Sequence, residues 1–75
     1  MNLTRYIAID PRICHGKACL KGTRIPVSVI LDNLAAGETL AAIRRSYPSG
    51  SAAAIRAAIA YGAELSRERV LAIPA

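Results

Sequence analysis

The sequence predicts a mainly α domain in which a short N-terminal β segment or hairpin precedes a three-helix, helix-turn-helix-like (homeodomain-like) bundle. Three observations predict it. Residues 5–10, RYIAID, are rich in β-branched and aromatic side chains with little helical spacing, and Asp10-Pro11 then imposes an extended or turn conformation. Beyond Pro26, apolar residues recur at helical spacing almost to the end of the chain. Between those apolar lines stand breaks at Gly37 and at Pro48-Ser49-Gly50, which divide them into three.

The β region is expected over residues 6–25. His15-Gly16-Lys17 and Lys21-Gly22-Thr23 surround the apolar pair Cys19-Leu20, which suits a hairpin-like excursion with a turn at each glycine. The helical bundle is expected over 26–68. Pro26 suits the first position of helix one because its missing N–H would have no intrahelical partner there. Val27, Ile30, Leu31 and Leu34 then face the core, and Gly37 suits a left-handed residue just past the end. Thr39 caps helix two, whose apolar line is Leu40, Ile43 and Tyr47, and Pro48 stops it. Ser51 caps helix three, whose line is Ile55, Ile59, Gly62 and Leu65. Gly62 costs about 1 kcal/mol against alanine in a helix interior, so it is expected to admit a close neighbour, helix one or a second subunit.

With 75 residues the chain is one domain, 1–75, and a chain this short buries only about 60% of its unfolded surface. A partner or a second copy, most simply a homodimer, is therefore expected. Hydrophobic residues make up 53% of the chain, but none of the apolar stretches approaches the roughly 20 residues that span a bilayer. MNLTRYIAID has no basic segment followed by an apolar one, so no secretory signal is read and a cytoplasmic location is expected. The C-terminal tail, residues 69–75, carries Val70, Leu71 and Ile73. It either frays or pairs as a strand, with the first strand or with a partner's edge.

Lys and Arg outnumber Asp and Glu by ten to five, a net charge of +5 that favours a polyanion or an acidic protein face, or serves solubility alone. Arg44 and Arg45 lie in the last turn of helix two, where they oppose the negative end of the helix dipole whether or not a ligand is present. With Arg56 they could hold phosphates, and Ser51 sits where helix three offers free N–H groups to one. Base reading by helix three is thin, since SAAAIRAAIA supplies little besides Arg56.

Enzyme chemistry finds few groups. Cys14, His15 and Cys19 are at most three metal ligands, and adjacent Cys14 and His15 diverge in an extended segment. If Cys14 and Cys19 flank a four-residue turn they are cross-strand neighbours, suited to a disulfide under oxidation or to two inert small side chains. A Cys-His nucleophile pair has only Asp10 nearby to orient it. No catalytic residue, metal or cofactor is assigned, and a small thiol- or metal-dependent enzyme is the last of three readings.

The order IDPRI (residues 9–13), GK (16–17), KGTRIPV (21–27), LAAG (34–37) and YP (47–48) resembles the bacterial domain-of-unknown-function family 433. The resemblance implies a small helix-turn-helix-like domain, many relatives of which are classed as antitoxins encoded beside a toxin of PIN-like ribonuclease fold. The chain departs from the family pattern at His15, where a second glycine is usual, at Ala18 (proline), at Cys19 (an aliphatic such as valine) and at Gly50 (leucine). Within GTRIPV, Gly22 permits positive φ, Thr23 bonds locally, and Arg24 either holds a hairpin carbonyl, Asp10 or Asp32, or pairs with a phosphate or a toxin's acidic site. Three functions follow: an antitoxin-like module that masks such a ribonuclease and binds its own promoter, a stand-alone DNA-binding regulator, and the small enzyme. For the first, Arg24, Val70, Leu71 and Ile73 are the expected partner-binding residues, and Arg44, Arg45, Ser51 and Arg56 the expected DNA-binding residues.

Overall fold

In the computed structural model, which describes residues 2–67, a two-stranded antiparallel hairpin precedes three helices. The tail residues Val70, Leu71 and Ile73 lie outside the described residues. The chain is mainly α, as its periodicity predicts. Strand β1 spans Ile7–Ile9 and strand β2 Ala18–Leu20, in the register Ile7 to Leu20, Ala8 to Cys19 and Ile9 to Ala18. The first strand is shorter than RYIAID suggests, because Asn2 accepts the Thr4 N–H at 3.2 Å and winds Leu3–Arg5 into a 3-10 turn.

Helix α1 spans Val27–Ala35. Pro26 is not its first helical residue but its extended N-cap (φ −65°, ψ 143°), and it bridges Cys19 of β2. The same ring that lacks an N–H to donate thus ends the hairpin side and starts the helix side. At the other end Gly37 adopts φ +91°, with its N–H on the Leu34 carbonyl and the Glu38 N–H on that of Asn33, both at 3.0 Å. That pair of bonds is a Schellman closure.

Helix α2 spans Leu40–Ser46 and is capped by Thr39, whose hydroxyl accepts the Ala42 N–H at 3.1 Å. Helix α3 spans Ala52–Arg67, and the Ser51 hydroxyl accepts the Ala54 N–H at 3.1 Å. Both caps stand where their sequence signals put them.

The core joins one face of the hairpin to the helices through Ile7, Leu20, Val27, Ile30, Ile43 and Ile55, with Ala54, Ala57 and Ala58 as small contact points on α3. Leu31, Leu34 and Tyr47 pack at its edge. Three residues expected inside are half out: Leu40 is 41% exposed, Ile59 39% and Leu65 43%. On α3 the buried stripe runs through 54, 55, 57 and 58, then Tyr61 and Gly62, so Ile59 and Leu65 fall at its margins. Gly62 does admit a close neighbour, and that neighbour is α1: a β-carbon there would stand 2.9 Å from the Leu31 Cδ1.

Candidate partner and nucleic-acid interface

The cysteine-histidine stretch folds into a left-handed turn. Cys14 (φ 51°), His15 (φ 56°) and Gly16 (φ 79°) all lie at positive φ, closed by Gly16 N–H to Ile13 C=O and Lys17 N–H to Cys14 C=O, both at 3.1 Å. Only glycine adopts this region without strain. Cys14 is thus in the turn and not in a strand, and the cross-strand partner of Cys19 is Ala8. Cys14 donates its S–H to the Arg24 carbonyl at 3.4 Å. Cys19 is buried, and that burial, reinforced by Cys14 beside it, pushes its thiol up to about 11. It stays protonated at neutral pH. His15 is exposed, and among the described residues no three His, Cys, Asp or Glu side chains are grouped to hold a metal ion.

The adjoining GTRIPV string is held by its threonine. Thr23 donates its hydroxyl to the Leu20 carbonyl at 2.7 Å and accepts the Ile25 N–H at 3.0 Å, while Gly22 takes φ +78°. Lys21 donates to the Thr4 carbonyl at 3.2 Å, tying the loop to the N-terminal turn. Arg24 projects into solvent with no ion pair or side-chain hydrogen bond among the described residues. A structural grip by Arg24 on a hairpin carbonyl, Asp10 or Asp32 is therefore not what the loop uses. Asp10 is occupied by Arg12, which donates from Nε and Nη2, each at 3.1 Å, and from its backbone N–H at 2.9 Å. The side-chain bonds first, and then the backbone bond, hold the Asp10 carboxyl below its ordinary 3.8.

Arg44, Arg45 and Arg56 are likewise exposed and in no ion pair among the described residues. The first two stand in the last turn of α2 and the third one turn into α3. Ser51 is exposed, but its oxygen already caps α3, so the residue serves the helix first. Ala52 and Ala53 are half-buried and Ala54 is buried, which leaves the opening turn of α3 without side chains that reach a base edge.

One surface feature is not apparent from periodicity. A groove of about 370 Å³ runs between α1, α3 and the start of β2, lined among others by Ala18, Val27, Leu31, Tyr61 and Leu65, with Lys17 at its rim. Leu65 belongs to this groove and not to the core. Its i+4 relation to Tyr61 was the available signal, but an apolar pair on a helix reads the same in a core or a groove.

Comparison with known proteins adds one match. The sequence model of a family described as a protein of unknown function (DUF433) matches residues 7–62, most of the chain. No curated protein and no solved structure matches.

Proposed function

We propose that this chain, which belongs to the DUF433 family, is an antitoxin-like binding module that masks an acidic ribonuclease of PIN-like fold and holds its own promoter through backbone phosphates. The observation that carries the reading is the state of its arginines. Arg12 and Arg67 are committed to the carboxylates of Asp10 and Glu64, whereas Arg24, Arg44, Arg45 and Arg56 are exposed and uncommitted among the described residues. A guanidinium with its planar fork free is suited to bidentate pairing with a carboxylate or a phosphate. Arg24 stands on a loop whose backbone is fastened by the two Thr23 hydrogen bonds, so only its side chain has to be ordered when it meets a partner.

The groups needed for catalysis are poorly supplied beside it. Cys19 is buried and protonated at neutral pH, and the exposed His15 has no orienting hydrogen bond among the described residues. These features favour a binding module over a thiol enzyme.

The test is co-expression with the product encoded beside this chain. The pair is expected to co-purify and the neighbour's ribonuclease activity to fall. Arg24→Ala is expected to weaken the complex by about tenfold or more, the scale of one charge-assisted hydrogen bond. Absence of a complex, or an undiminished one with Arg24→Glu, overturns the proposal.

A further inference from the structure

We propose that Cys14 and Cys19 form an oxidisable dithiol, a modification site that takes a peroxide as oxidant and closes to an internal disulfide beside the Arg24–Pro26 segment. Both residues meet that segment. The Cys14 sulfur lies 3.4 Å from the Arg24 carbonyl oxygen, and Cys19 pairs in antiparallel fashion with Pro26. Cys19 is buried in the hairpin, next to Leu20 on β2. There it lines a cavity of about 220 Å³ together with Ala8, Asp10, Ile13, Gly22 and Thr23. Cys14 follows Ile13 directly and is half-buried at this edge. The two cysteines therefore meet the same three-residue stretch of backbone, Cys14 at its first residue and Cys19 at its last.

The backbone adds a second, independent reason. Non-glycine residues at positive φ store strain, and such residues cluster at sites where strain is part of the mechanism. Here it falls on Cys14 and His15, while Gly16 beside them carries none. A disulfide needs β-carbons roughly 3.8 Å apart. The strained turn is the segment whose movement would supply that distance.

The chemistry balances with one peroxide. The Cys14 thiolate, formed by loss of its proton to solvent, attacks one peroxide oxygen, so an S–O bond forms, the O–O bond breaks, and hydroxide leaves to become water. Cys19 then attacks the sulfenic sulfur. An S–S bond forms, the S–O bond breaks, and a second water leaves with the Cys19 proton. Two thiols are oxidised by two electrons and the peroxide is reduced to two waters. Cys14 takes the first step because Cys19 is buried and held protonated. The product no longer has a Cys14 S–H to donate to the Arg24 carbonyl.

Oxidation of the two thiols needs no partner protein, and neither does the experiment that follows it. The full chain, reduced and then treated with hydrogen peroxide, is followed by thiol titration and intact mass. Both thiols are expected to disappear together, with a mass loss of two hydrogens and no cross-linked dimer. Trypsin cleaves after Arg12, Lys17 and Lys21, so the bond must join fragments 13–17 and 18–21. In Cys19→Ser, the sulfenic acid is expected to persist at Cys14 and to be trapped by dimedone. Thiols that survive peroxide, oxygen addition without a linked fragment pair, or a disulfide between two chains overturns the proposal. The wild-type fragment map decides it even if the variant does not fold.

Discussion

His15 carries a conformation that its side chain opposes. For an L-residue the left-handed region costs roughly 1–2 kcal/mol, part of which glycine recovers less its larger unfolded-state entropy. His15→Gly is therefore expected to stabilise the domain by about 1 kcal/mol, raising Tm by about 4–8 °C for a chain of this size. Thermal unfolding followed by circular dichroism checks it, and an unchanged or lower Tm refutes the strain. From the residue types alone the turn was visible at Gly16, but Cys14 gave no sign of sharing its φ. Cys19 supplies a second test. Its thiol is raised from 9.0 to about 11, so between those values the unfolded chain has lost a proton that the folded chain keeps. Stability must then fall as pH rises from 9 towards 11, by roughly 2–3 kcal/mol if the whole shift is realised. Denaturant titrations across that range are expected to flatten in Cys19→Val.

Among the helices, the end signals at Thr39, Ser51 and Gly37 were legible because capping chemistry is local, whereas Pro26, expected as the first residue of α1, is its N-cap. Thr39, Ser51 and Gly37 each act on backbone groups within a few residues, and each does what its type and position predict. Burial along α3 was less legible, since Ile55 and Ile59 are four apart and equally apolar, and only the direction from which α1 approaches separates them. Glycines make the same point about packing. At Gly62 the obstacle to a β-carbon is the tip of half-buried Leu31, at 2.9 Å; at Gly50 it is Leu20 Cδ1, at 3.1 Å, on a side chain only 1% exposed, and the Tyr47 carbonyl at 3.4 Å. Leu31 can rotate away, and Leu20 cannot. Gly62→Ala is expected to be within about 0.5 kcal/mol of neutral, the gain in helix propensity offsetting the displaced rotamer. Gly50→Ala is expected to destabilise by about 1–3 kcal/mol. Equal effects in urea titrations would refute this difference in yielding.

Charge acts at the scale of the whole molecule. Of five acidic residues, Asp10 and Glu64 are engaged by neighbouring arginines, so the net charge of +5 is expressed largely through cations that have no local partner among the described residues. Arg44 and Arg45 could be present only for the α2 dipole, a role worth about 0.3–1 kcal/mol each when exposed. Phosphate binding predicts something the dipole does not. Affinity for a short duplex must fall linearly with salt on a logarithmic plot, by about 0.9 in slope for each phosphate neutralised. Arg44→Ala/Arg45→Ala must then lower that slope by about 2, while costing only a modest amount of stability. Because the first turn of α3 presents Ala52 and Ala53, binding is also expected to vary little with sequence, including at the promoter. Fluorescence anisotropy over a salt series measures both. An unchanged slope in the double variant would return Arg44 and Arg45 to the helix alone, and a strong preference for one duplex would require a base-reading element that α3 does not offer.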